Sequence, residues 1–168
     1  MNEGSKLEEI VDKVMHLVHG NKVLDVGTGF GTLITKLFNS NIKEVTSIDP
    51  EAWTFDSIER EYCTEITSGR LRLMRTGAER MPFENNAFDT SMAICSLHHL
   101  PDTMEGVMEM ERVTSARVII TDWDPTSSGI HNPHSPEELQ NVKDRIMEHS
   151  MNHGYNFEEN GMWYLAWR

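Results

Sequence analysis

KVLDVGTGFGTL, residues 22–33, changes character halfway along. Val23, Leu24 and Val26 form a short apolar run that suits a strand buried on both faces. Gly27, Gly29 and Gly31 follow at every second position, and Leu33, Ile34, Leu37 and Phe38 then recur at helical spacing. The glycines therefore occupy a strand-to-helix turn, where backbone lacking Cβ atoms lets a ligand come close to the free N–H groups at a helix start. A dinucleotide-binding turn needs glycine or alanine three residues after the second glycine, and this chain has Thr32 there. Asp25, two residues before the first glycine, would sit poorly beside a pyrophosphate and well beside a cation. A nicotinamide-dependent oxidoreductase conflicts with both residues.

The chain around this turn has 168 residues, the size of one domain with a real core. It carries 27 acidic against 15 basic side chains, a net charge of -12, which disfavours bare nucleic acid and favours neutral or cationic substrates. No stretch has the length of a membrane span or the layout of a signal peptide, so a cytoplasmic location is expected. Cys63 and Cys95 lack metal-ligand spacing and are expected to be free, buried thiols.

Before the turn, Leu7, Ile10, Val11, Val14, Leu17 and Val18 mark one face of a helix. Ser5 and Glu8 are placed for a capping box, and the helix is expected to cover the sheet edge. After the turn, residues 44–49 (EVTSID) read as a second strand ending on Asp49. This carboxylate lies near the distance from Gly31 at which such folds hold ribose hydroxyls, and it can accept from both at once. Pro50 stops the strand, and Glu51 could share the contact. Trp53, Phe55, Ile58 and Tyr62 predict an amphipathic helix, with Trp53 either core or beside a planar ligand. Residues 71–76, 88–95 and 117–123 supply three more strands. A helix over 104–113 separates the last two of these. Ser135 and Pro136 start another helix that reaches about Gly154, and 155–168 fit two short strands joined near Asn160-Gly161.

Three separated motifs add a resemblance. The string Val-Leu-Asp-x-Gly-x-Gly-x-Gly at 23–31 closely resembles the first motif of the Rossmann-like S-adenosylmethionine-dependent methyltransferases. Ala78-Glu79-Arg80-Met81-Pro82-Phe83, then Phe88-Asp89, then Leu97-His98-His99-Leu100 look like the branch that includes ubiquinone and menaquinone C-methyltransferases. The resemblance covers about residues 20–125 and implies an α/β, doubly wound, mostly parallel seven-stranded sheet with an antiparallel C-terminal hairpin and helices on both faces. It implies a single domain over 1–168 and S-adenosylmethionine as cofactor, held by Asp25, Gly27, Thr28, Gly29, Asp49, Pro50, Gly77, Ala78, Glu79 and Cys95. One departure stands out: the family's aspartate that accepts from the adenine amino group is replaced by Gly77, unless Glu79 reaches in.

Methyl transfer from a sulfonium needs alignment and exclusion of water, and a base only when the acceptor holds a proton. His99, His98 and Asp122 are the candidates for that base. Methylation of nucleobase amines is disfavoured, because relatives with that chemistry carry Asn or Asp, Pro, Pro and an aromatic where this chain has Cys95-Ser96-Leu97-His98. Two cysteines so spaced also do not serve arsenite. His131, His134, His149 and His153 raise the question of a metal, and none is expected. The methyl acceptor, a small molecule or a protein, stays unnamed. Trp123 and the 131–134 loop are placed either at a contact with a protein acceptor or a second copy, hence a possible homodimer, or in a lid over a small substrate. The alternative function is a module that binds S-adenosylmethionine without transferring its methyl group.

Overall fold

Strand β1 (Lys22–Val26) lies at the centre of the sheet in the computed structural model, which describes residues 3–40 and 42–168. Val23, Leu24 and Val26 are at most 2% exposed, as a strand covered on both faces requires. The chain then runs α2 (Thr32–Asn39), β2 (Glu44–Ile48), α3 (Phe55–Glu61), α4 (Cys63–Thr67), β3 (Leu71–Met74), β4 (Phe88–Ile94), α5 (Thr103–Val113) and β5 (Thr114–Trp123). Helix α6 (Pro136–His153) and strands β6 (Asn156–Glu159) and β7 (Trp163–Trp167) follow, and α1 (Glu3–Val14) precedes β1. The sheet order is β3-β2-β1-β4-β5-β7-β6. Strands β1 to β5 pair in parallel, and β7 runs antiparallel between β5 and β6.

The two faces bury different residues of the same strands. Val23, Val45, Met92 and Ile119 pack with Ile10, Val11 and Val14 of α1 and Leu33, Ile34 and Leu37 of α2. Leu24, Val26, Ile48, Ala93 and Ile120 pack with Val107 and Met110 of α5 and Ile146 of α6. This is the doubly wound arrangement expected from the sequence.

Local chemistry explains several fragments of the motifs. Asp89 closes the entry to β1, its Oδ2 accepting from the backbone N–H of Asn21 (2.7 Å) and Lys22 (3.0 Å). Arg112 on α5 fastens the 81–85 loop: it donates to the carbonyls of Met81 (3.0 Å) and Phe83 (2.7 Å) while pairing with Glu109. Ser135 caps α6 in a full capping box with Glu138, and Gly154 ends that helix at φ 73°.

Several expectations need correction. Helix α1 is already under way at Glu3, so Ser5 lies inside it rather than at its cap. The helix packs over β4 in the middle of the sheet and not on an edge, because its apolar stripe matches the inner strands. Strand β3 stops at Met74 and β4 at Ile94, each short of the expected end, while β5 begins three residues early. Cys63 is exposed and Cys95 half-buried, so neither is a core thiol. Trp123 is 2% exposed and stacks on buried His131 (ring centroids 5.7 Å apart, 18° between planes), which removes it from any open contact surface. Among the described residues, no helix is long and apolar enough to cross a membrane.

Candidate active site

The strand order reverses between β1 and β4, and a crevice opens there at the carboxyl ends of the parallel strands. A cavity of about 540 Å³ fills it. Gly27, Gly29, Asp49, Pro50, Gly77, Ala78, Glu79, Cys95 and His99 line it.

The three glycines of the turn do different work. A Cβ on Gly27 would lie 2.5 Å from the Ser96 Cβ, so this glycine serves the packing of the 96–97 segment, where Ser96 Oγ donates to the Val26 carbonyl (2.6 Å). A Cβ on Gly29 would meet nothing within 4 Å. At φ 49° it faces open cavity. Gly31, at φ 80°, enters α2 without a side-chain cap.

Asp25 and Thr28 stand behind the wall, not on it. Thr28 Oγ1 and Ser47 Oγ are 2.6 Å apart, and Ser47 donates to Asp25 Oδ2 (2.7 Å). Burial pushes the Asp25 carboxyl up to about 7; the Ser47 hydrogen bond opposes this and the Asp49 charge adds to it. Asp49 Oδ1 accepts from the N–H of Glu51 (3.0 Å) and Ala52 (3.2 Å), while its Oδ2 lies 3.5 Å from the Gly29 nitrogen. Phe30 and Trp53, 74% and 60% exposed, meet edge to face at the rim, ring centroids 5.0 Å apart. Trp53 precedes α3 and is not core. The Glu79 carboxylate lies over Gly77, with Oε2 at 2.8 Å from where a Cβ would be. An acidic group thus stands at the position where the side chain was missing in sequence.

The opposite wall is built from β4 and β5. Cys95 ends β4 in the left-handed region at φ 51°, its N–H donating to the Thr121 carbonyl (2.8 Å). A positive φ in a non-glycine residue is uncommon, and it turns the chain sharply into the 97–99 segment. There Asp122, 1% exposed, receives two bonds from His98: backbone N–H to Oδ2 (3.0 Å) and ring Nδ1 to Oδ1 (2.6 Å). The carboxylate can only accept, so Nδ1 carries the proton and the lone pair belongs to Nε2. His99 lies 4.1 Å from His98 by ring centroids, and His134 comes within 4.6 and 4.9 Å of the two. Partial desolvation, then the imidazoles of His98 and His134, hold the His99 pKa below its ordinary value, with Asp122 and Asp49 opposing. A second cavity of about 120 Å³ lies against these three rings and Trp123, and Cys95 and His99 border both cavities. His149 and His153 are elsewhere: His149 Nε2 bonds Glu111 Oε1 (2.8 Å) and His153 Nδ1 lies 3.0 Å from the His149 carbonyl.

A family model described as a methyltransferase domain matches residues 24–120. The chain belongs to this methyltransferase domain family. Sterol 4-C-methyltransferase strm-1 of Caenorhabditis elegans is 29% identical over 121 residues, which cover 66% of this chain and 35% of that protein. The tRNA U34 carboxymethyltransferase of Nautilia profundicola is 29% identical over 97 residues, covering 57% of this chain and 32% of that protein. The chain spans about a third to a half of the length of the first curated relatives it matches. Among solved structures, a SAM-dependent methyltransferase from Aquifex aeolicus superposes with a TM-score of 0.70 at 19% identity, covering 99% of this chain and 97% of that one.

S-adenosylmethionine is the cofactor of this methyltransferase family. The cavity fits it on two observations of the structure itself. The space above Gly29 is open and would be filled by any side chain there, and acidic groups, Asp49 and Glu79, stand on its wall where a ligand offers hydroxyls and amines. Sequence reasoning missed His134 as a neighbour of His98 and His99. It drew attention to the 131–134 loop, but no spacing rule joins residues 35 positions apart. Phe30 was missed as well; an exposed aromatic inside a glycine turn was the available signal.

Proposed function

We propose that this methyltransferase domain moves the methyl group of S-adenosylmethionine to an acceptor that enters from the side of His98, His99 and His134. The observation that carries the reading is the meeting of two walls at Cys95 and His99: the cavity lined by backbone and carboxylates after β1 and β2 adjoins a smaller one lined by His98, which Asp122 orients, and by His134. When bound, the cofactor supplies a methyl group on a positively charged sulfur that an acceptor atom can displace in line.

Gly27, Gly29, Asp49, Pro50, Gly77, Ala78, Glu79 and Cys95 would hold it from the cavity wall, with Asp25 and Thr28 supporting the turn from behind through Ser47. Asp49 accepts from hydroxyls, Glu79 from an amino group, and Trp53 and Phe30 cover a planar base. Asp122 fixes the His98 tautomer so that Nε2 can take a proton, and His99, whose pKa its surroundings lower, offers a second acceptor at the border of both cavities. Asn132, Pro133 and His134 of the loop and buried Trp123 form one side of the small cavity, which favours a lid over an open docking face. The acceptor is a small molecule on this reading.

The test is calorimetric titration with S-adenosylhomocysteine, followed by single-turnover transfer from labelled cofactor into fractionated small-molecule extract. Binding with label appearing in a small-molecule fraction supports the proposal. Binding without any transfer returns the domain to a cofactor-holding module, and absence of binding removes both readings.

A further inference from the structure

The histidine wall carries more than a base requires. His98, His99 and His134 each present a ring nitrogen, and these three nitrogens all lie within 4.8 Å of one another. They come from two separate segments, the 97–99 turn after β4 and the loop before α6. A general base needs one imidazole with an orienting carboxylate, and the His98–Asp122 pair alone supplies that. Two further imidazoles at the same point are unexplained by it.

We infer that these three histidines form a binding site for a zinc-class divalent cation, with its fourth position open to the acceptor. Three neutral imidazoles and one open position are the donor set of a zinc ion that acts on a substrate. The orienting contacts that such a site needs are present. Asp122 takes the Nδ1 proton of His98, the same carboxylate–histidine pairing that sets the ligating nitrogen in metal sites. The Glu138 carboxylate, bonded to Ser135, lies 3.9 Å from His134 Nδ1, too far for a hydrogen bond, and contributes charge rather than orientation. The His134 backbone is fixed on both sides: its N–H donates to Asn132 Oδ1 (3.1 Å) and its carbonyl accepts from Ser128 Oγ (2.7 Å). A tetrahedral ion with bonds of about 2.0 Å holds its ligands about 3.3 Å apart, so the cluster tightens by roughly 1.5 Å at most on loading. His99 is exposed and can turn to close that gap, while His98 stays anchored.

The location gives the ion a use. His99 borders both the cofactor-sized cavity and the small cavity beside it, so the open position falls where the two meet. A thiol or hydroxyl acceptor that binds there through its sulfur or oxygen gives up its proton to water at neutral pH, as groups on such ions do. With the ion bound, His98 and His99 therefore serve as ligands and no longer as bases. The lone pair then forms the bond to the methyl carbon while the bond from that carbon to the sulfonium sulfur breaks, leaving a neutral thioether. This acceptor class rests on the proposed methyl transfer; the ion site does not.

The experiment uses chelator-treated, dialysed full chain titrated with cobalt(II), with S-adenosylhomocysteine affinity measured on the same samples. The expected result is one equivalent bound with the visible bands of a four-coordinate ion, lost or weakened at least tenfold in both His134→Ala and His99→Ala. His149→Ala should bind like the parent. Mercaptoethanol should add a sulfur-to-cobalt charge-transfer band, and phenol should shift the visible bands. Cobalt binding that persists unchanged in His134→Ala, or that disappears in His149→Ala, means adventitious metal and overturns the site. No binding by the parent overturns it as well. Bound cobalt indifferent to both probes overturns the acceptor class alone. Loss of the cobalt spectrum with retained S-adenosylhomocysteine affinity is expected of His134→Ala, and a parent that binds cobalt but not S-adenosylhomocysteine would fail the methyl-transfer reading while leaving the ion site standing.

Discussion

The two walls of the crevice are made by different means. The β1–β2 wall comes from about thirty consecutive residues and works largely through backbone: a turn with Gly27 at φ 92° and Gly29 at φ 49°, and one carboxylate at the next strand's end. The β4–β5 wall gathers Cys95, His98, His99, Asp122 and His134 from three segments and works through side chains. A backbone wall recognises what every member of a family shares, and it leaves little to vary. A side-chain wall can be rewritten one residue at a time, and on the proposed reading the acceptor's identity resides there. The family's relatives act on acceptors as unlike as a sterol and a tRNA base, in keeping with this division.

The comparison can be broken by variants that confuse the walls. The largest effect is expected from Gly29→Val, whose side chain enters the cavity: S-adenosylhomocysteine affinity should fall at least a hundredfold, about 2.8 kcal/mol. Gly161→Val, also at positive φ (77°) with nothing within 4 Å but in the distant hairpin, carries the same backbone strain and should leave affinity unchanged in a titration. Equal loss in both would mean that strain, not occupancy, explains Gly29. Next comes Asp49→Asn, which keeps an oxygen for the Glu51 and Ala52 N–H groups but cannot accept from two hydroxyls; about 2 kcal/mol of cofactor affinity should go.

On the other wall, Asp122→Asn should slow transfer about tenfold with S-adenosylhomocysteine affinity intact, because it disturbs only the His98 tautomer. A matching loss of affinity would merge the two walls into one functional unit. The last effect lies behind the first wall and is read in stability, not in affinity or rate. Asp25 has its folded pKa raised to about 7 from 3.8, so the folded state holds a proton that the unfolded chain has released. Its contribution to stability is therefore present below about pH 4 and lost as pH rises towards 7. Asp25→Asn removes this dependence, and its denaturation free energy relative to the parent should climb by about 1 kcal/mol or more across that window. A flat difference would place a charged carboxylate at Asp25 throughout.

The same division governs what could be read in the chain. The strand-turn-helix at 22–33 announces itself because each of its requirements is local: apolar alternation, missing Cβ atoms, helical spacing. The doubly wound sheet follows from it and the later motifs through the family resemblance, while the strand order does not. Glu79 covering Gly77 was half visible, as an acid two residues from a gap, but the distance that makes it a replacement is a matter of loop path. Trp123 misled for a related reason. The strand expected over 117–123 includes Trp123, but the polar Asp122 and Asp124 beside it suggest an exposed end, whereas pairing with Trp163 of β7 carries Trp123 into the core. His134 reaches His98 only because Asn132 and Ser128 fold the loop back through side-chain bonds, and such bonds leave no period in a sequence.

Strand β7 lies between β5 and β6 although it comes after both in the chain. Strand β6 has no place in the sheet until β7 is in place, since among the described strands its backbone pairs with β7 alone. The outer edge of β5, with apolar Ile119 and Ile120, waits for the same late strand. A chain in which β7 has not docked therefore has two unsatisfied strand edges at once, the situation in which edge-to-edge pairing between chains competes with folding. The five residues Trp163–Trp167 are what keep the parallel sheet from offering the β5 edge to another molecule.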